Sequence, residues 1–162
     1  MTFPVGHRVS ADEYTNAVAI ATALDALGHV AEKKDTTSNV AVVGTELVSS
    51  FIQFATVTGI RYYVYYSAGY ESSVAGDIAI LKMRLAATTT DVTGTQLRTF
   101  KGGCDSASKG NPFSFIGQFV AAASGTQTVV ATTKRDAGTG TLRQNGATTD
   151  AELYWLVLSM NN

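Results

Sequence analysis

The residues best suited to chemistry in this chain are His7, His29, Cys104 and the carboxylates Asp12, Glu13, Glu71, Asp77, Asp91, Asp105, Asp136 and Asp150. A catalytic imidazole needs a nucleophile or a carboxylate beside it, and a metal site needs several donors at ligand spacing. Neither histidine has such neighbours. His7 falls in an irregular opening, and His29 follows a helix stop, where a cation is mildly favoured. Cys104 sits in KGGCDSASKG with Lys101 and Lys109 as the only nearby cations, so it reads as an inert loop thiol. Asp12 and Glu13 fall in a first helical turn. The other acids lie in or beside loops, where solvation and Asx turns account for them. The glycines of VAGD (74–77) and GTG (138–140) mark turns, since neither precedes a helix and the second lacks the Lys-Ser/Thr of a phosphate loop. This pattern predicts no enzyme, no metal and no cofactor.

One constellation remains. Arg61, Tyr63 and Tyr65 share one side of an alternating run, an arrangement that could stack nucleic-acid bases, lie against a sugar or pack against a protein. The formal net charge is -1, and only 15% of residues are Asp, Glu, Lys or Arg. Without an excess of positive charge there is no counterion release to drive nucleic-acid binding, and a protein contact is the favoured reading. A sugar-binding face is the alternative. Low charge fits a surface partly covered by other subunits, and it equally fits a neutral Thr/Ser/Gly surface. The single cysteine excludes an internal disulfide framework. MTFPVGHRVSADEY has no secretory pattern, and no apolar run reaches the length of a membrane span.

The elements that must position these residues follow from periodicity. Residues 1–8, with Pro4 and Gly6, read as an extended arm. Ser10 and Glu13 form a capping box, and Val18, Ile20, Ala21, Leu24 and Leu27 continue at helical spacing up to Gly28, a natural stop. The helix packs on its own sheet or on another subunit. His29–Asn39, polar and aperiodic, reads as a linker.

Beyond it the period is two. Strands are predicted at Val40–Val43, Leu47–Val57 and Ile60–Tyr66, the last with Tyr62, Val64 and Tyr66 on one face and Tyr63 and Tyr65 on the other. Residues 67–77 read as a loop. Ile78–Leu85 alternates Ala79, Leu81 and Met83 against Ile80, Lys82 and Arg84. Residues 86–110 read as a long covering segment anchored by Leu97 and Phe100. Four closing strands then follow. Phe113, Phe115, Gly117 and Phe119 oppose Ile116 and Val120 in the first, and Thr126–Thr133 and Thr141–Gln144 supply the next two. Asn145-Gly146 is a tight-turn pair. In Glu152–Met160, Leu153, Trp155 and Val157 oppose Tyr154, Leu156 and Leu158, and a strand so apolar belongs inside a sheet.

About eight short strands without helical crossovers predict an all-β, antiparallel β-sandwich of jelly-roll kind, with a flattened barrel as the alternative. An arm, helix and linker (1–35) precede the sandwich domain (36–162).

Three stretches carry a resemblance. The opening matches at Pro4, Val5, Gly6, His7, Arg8, Ala11, Asp12, Glu13 and Tyr14, a loop at Ala75, Gly76 and Asp77, and a closing hairpin at Gly140, Thr141, Leu142, Arg143 and Gly146. In these the chain resembles small virion structural proteins of tailed actinobacteriophages, which serve as head decorations, head fibres or tail-associated proteins. It departs from them in its long Ala-rich helix and low body charge. The resemblance implies a non-enzymatic homotrimer in the virion, most readily on the outer capsid surface, attached to the major capsid protein or a neighbouring virion protein. Pro4, Val5, His7, Arg8 and Tyr14 are the candidate docking residues. Tyr63, Tyr65 and Tyr154 are the candidate subunit contacts. A fibre module binding host-surface carbohydrate is the alternative.

Overall fold

Ten strands carry the period-two alternation through the computed structural model, which describes residues 28–35, 39–108, 110–145 and 153–160. They are β1 (His29–Asp35), β2 (Asn39–Val42), β3 (Leu47–Thr56), β4 (Arg61–Ser72), β5 (Ile78–Ala86), β6 (Thr95–Gly103), β7 (Asn111–Val120), β8 (Gly125–Ala137), β9 (Leu142–Asn145) and β10 (Leu153–Met160). Every pairing is antiparallel. Sheet A joins β1, β10, β4, β9 and β2, with β7 on the other side of β4, while sheet B runs β3-β8-β5-β6. The predicted all-β antiparallel sandwich is the fold of these residues.

The pairings also give the wrap. β10 and β9 lie end to end along one side of β4, Tyr154 opposite Ser67 and Asn145 opposite Gly69. β1 and β2 follow them in the same way. Counting each end-to-end pair as one strand leaves eight, paired first with last, second with seventh, third with sixth and fourth with fifth. Such nested pairing is a long hairpin folded across two sheets, the jelly roll. The closing strand β10 lies inside sheet A, between β1 and β4.

The core lies between the sheets. Tyr62, Val64, Tyr66, Trp155 and Val157 from sheet A meet Ile52, Phe54, Leu81, Met83 and Val129 from sheet B, all buried. Tyr66 stands 4.1 Å from Trp155, ring centre to ring centre, and contacts Phe113 and Phe115. Gly117 lets the layers approach, because a Cβ there would meet Met83 Sδ at 2.5 Å and Leu97 Cβ at 3.0 Å. Polar groups inside are paired. Tyr66 Oη donates to Gln144 Oε1 (2.7 Å), Gln144 Nε2 to Thr133 Oγ1 (2.7 Å) and Trp155 Nε1 to Ser50 Oγ (2.9 Å). The first bond joins β4 to β9 within sheet A and the other two tie sheet A to sheet B, all through groups that would each cost free energy if left unpaired.

Three expectations change. His29–Asp35 is not a linker but edge strand β1. Its inward positions near the open edge carry Lys33 and Asp35, which pair at 2.9 Å, so no apolar alternation marks it. Residues 67–72 continue β4 instead of forming a loop, because β7 pairs with residues 67–70 on one side and β9 with residues 69–72 on the other. Within the predicted covering segment, Thr95–Gly103 is edge strand β6. Arg98 faces Met83 while Gln96 faces Arg84, so Leu97 is an extra residue in a bulge. Both Leu97 and Phe100 still pack on the core as anchors. The helix expected from the capping box, residues 10–27, and Gly146 of the expected Asn145-Gly146 turn lie outside the described residues.

Candidate functional site

Alternation sends one set of side chains of sheet A into the core and the other set outward. In β4, Tyr62, Val64 and Tyr66 are buried while Tyr63 and Tyr65 are half-buried on the outer face. In β10, Leu153, Trp155 and Val157 go inward, leaving Tyr154, Leu156 and Leu158 outside. In β7, Phe113 and Phe115 go inward and Ile116 outward.

Register then brings the outward residues together. Ile116, Tyr65 and Leu156 form one row across three strands, Gln118, Tyr63 and Leu158 the next, and Val120, Arg61 and Met160 the last. Ile116 is 56% exposed, Val120 52% and Met160 42%. Tyr63, Tyr65, Ile116, Leu156, Leu158 and Met160 line a shallow depression of about 240 Å³. Tyr154 extends the face, its ring 6.3 Å from that of Tyr65. Partial burial, with Glu32 beside it, pushes the Tyr154 phenol above its ordinary value. On the flank, β1 sets Glu32 beside Leu156 and Lys34 beside Tyr154, so a polar rim borders the apolar rows. An apolar patch with such a rim is the usual form of a contact surface.

The three tyrosines expected at a subunit contact therefore share one face. The sequence did not single out Leu156, Leu158, Ile116 and Met160 as members of it. Each was legible as the outward side of its own strand, but their convergence depends on strand order and register. Pro4, Val5, His7, Arg8 and Tyr14 lie outside the described residues.

Elsewhere, polar groups serve the fold. Asp77 is buried, and its carboxylate accepts from Ser72 Oγ (2.6 Å), Thr139 N (3.0 Å) and Gly140 N (2.9 Å). These bonds, the Ser72 hydroxyl foremost, hold its pKa below the ordinary carboxylate value. The VAGD and GTG turns are thus two halves of one clasp. Glu46 accepts from Lys82 (2.8 Å), Arg84 (2.9 Å) and Thr132 (2.6 Å). Burial acts to raise its pKa, but these donors together lower it to about 2. Cys104 is buried, which raises its pKa, with Asp77 and Asp105 adding to the effect. His29 is on the surface, 3.9 Å from Glu32. Among the described residues, no group of three or more His, Cys, Asp or Glu is placed to hold a metal ion.

No protein-family model matches the chain, and no curated protein sequence does. Solved structures similar to it include T=1 particles derived from infectious bursal virus (TM-score 0.45, 11% identity, covering 82% of this chain and 36% of that one). The VP2 subviral particle of infectious bursal disease virus is also similar (TM-score 0.42, 12% identity, 80% and 39%). A third is TmCBM61 in complex with β-1,4-galactotriose (TM-score 0.34, 8% identity, 79% and 68%). The chain spans less than two-fifths of the length of the two virus-particle chains.

Proposed function

We propose that this chain is a virion structural protein, an outer capsid decoration that attaches through its N-terminal segment to the major capsid protein or a neighbouring virion protein and trimerises through its sandwich. The observation that carries the reading is the apolar outer face of sheet A, where Tyr63 and Tyr65 join Leu156, Leu158, Ile116 and Met160. Burying such rows against another copy is worth about 25 cal/mol per Å². Aromatic rows bordered by Glu32 and Lys34 have the core-and-rim layout of stable contacts. The resemblance of the opening residues to virion structural proteins supports the attachment role. This reading gives the protein no catalytic activity.

Two measurements test it. Purified chain mixed with particles lacking it should bind at a fixed number of copies, and deleting residues 1–9 should abolish binding while leaving the sandwich folded. Full binding after the deletion would falsify the attachment role. Two neighbouring tyrosines on an open face also suit a sugar ring, which keeps a host-surface glycan as the second reading. Glycan binding lost in Tyr63→Ala, by a chain that does not self-associate, would favour it.

A further inference from the structure

We propose that the open edge of β7 takes an extended, uncharged segment of the neighbouring virion protein as an added strand of sheet A. This rests on the attachment reading above and gives the partner a second site, on the sandwich itself.

Open sheet edges recruit strands unless something blunts them. Among the described residues, five strands pair on one side only: β1, β2 and β7 in sheet A, and β3 and β6 in sheet B. Four of them are blunted. β1 carries Glu32, Lys33, Lys34 and Asp35 together with a break in register, and β2 has only four residues and another break. β3 is bulged at Ser49, and Lys33 Nζ reaches across to donate to its Phe51 carbonyl (3.0 Å). β6 is bulged at Leu97 and carries Arg98 and Lys101. β7 differs from all four. Its ten residues, Asn111–Val120, pair with β4 without a shift and include no charge.

The backbone of β7 supplies the second step. Ala121, just past the strand, donates its N–H to the Ile60 carbonyl (3.0 Å) and accepts from Gly59 N (2.8 Å), so both its groups turn toward the β4 side. Alternation then turns Phe119, Gly117, Phe115 and Phe113 toward β4 and Val120, Gln118, Ile116 and Ser114 toward the open edge. Pro112, with no N–H to give, falls in the second set, where no ladder bond is lost. The edge thus offers a run of N–H and C=O groups that an extended backbone matches. Its flanks are apolar. On the outer face Ile116 and Val120 are exposed, and toward the interior a Cβ at Gly117 would meet Leu97 Cβ at 3.0 Å. A strand added here meets apolar surface on both of its faces, which selects an uncharged, largely apolar segment. The charged or bulged edges of another copy do not fit. A second β7 does, but that contact is two-fold and does not join copies in threes.

The test combines hydrogen exchange with binding of the full chain to particles lacking it. In the chain free in solution, the amides of Ser114, Ile116, Gln118 and Val120 should exchange fast while those of Phe115, Gly117 and Phe119 are protected. On the particle both sets should be protected. Gln118→Pro removes an N–H that no bond within the sheet uses, so it should keep the melting transition and weaken particle binding about tenfold. Gln118→Thr should bind like the unsubstituted chain. Edge amides already protected in the free chain, or protected on concentrating it without particles, would overturn the proposal, since the chain itself or a second copy would then cover the edge. Edge amides still fast on the particle, or native binding by a folded Gln118→Pro, would overturn it while sparing the attachment reading. Failure of the full chain to bind particles would remove both. Should Gln118→Pro misfold, the exchange pattern decides.

Discussion

The Asp77 carboxylate accepts the backbone N–H of Gly140 at 2.9 Å, joining the β4–β5 loop to the β8–β9 turn across 63 residues of sequence. With Ser72 Oγ and Thr139 N it makes the clasp that closes one end of the sandwich. Asp77→Ala leaves these donors without their acceptor and should cost about 2 kcal/mol in denaturant unfolding. Because the folded pKa is depressed, the clasp contributes above the unfolded value of about 4 and is lost as pH falls through the folded one. The penalty measured for the variant should therefore shrink in acid.

Gly138 and Gly76 offer a matched pair, both at positive φ (+101° and +85°). An added Cβ at Gly138 runs into the Asp77 carboxylate, whereas at Gly76 it meets nothing within 4 Å. Gly76→Ala should cost about 1 kcal/mol of backbone strain. Gly138→Ala should cost clearly more, read from the two melting curves side by side.

Tyr66→Phe removes the donor to Gln144 Oε1 and should destabilise the fold by about 1 kcal/mol. Burial, with Asp35 adding to it, pushes the Tyr66 phenol far above its ordinary value. A raised folded pKa gives stability that is complete below the unfolded value of about 10 and fades as pH rises beyond it. Ultraviolet titration should find Tyr66 ionising only together with unfolding, and the alkaline loss of stability should be smaller in the Phe variant.

Glu46→Gln should lower stability at neutral pH by about 1 kcal/mol, since it weakens acceptance from Lys82 and Arg84 at a partly exposed site. With the folded pKa at about 2, the advantage of the native residue is present above the ordinary carboxylate value and disappears toward pH 2. Melting temperatures of the two proteins should converge over that window.

Strands with one buried face announced themselves in the sequence. β5 and β10 alternate because Leu81, Met83, Trp155 and Val157 must enter the core. β1 escaped because it lies at an edge and turns the Lys33–Asp35 pair inward. β6 escaped because its bulge spaces Leu97 and Phe100 by three instead of two. The Asp77 clasp was invisible for another reason. Its partners are two glycine turns far apart in the chain, and neither turn alone shows a need for the other. The tyrosines of the outer face were legible one strand at a time, but the row Ile116–Tyr65–Leu156 exists only through the pairing of three strands.

That row carries the account, and Leu156 is its centre of test. Light scattering should give the full chain the mass of three copies, and Leu156→Lys the mass of one, with an unchanged melting transition for the sandwich. A single-copy mass for the unsubstituted chain, or an undisturbed trimer in Leu156→Lys, would contradict assembly through this face.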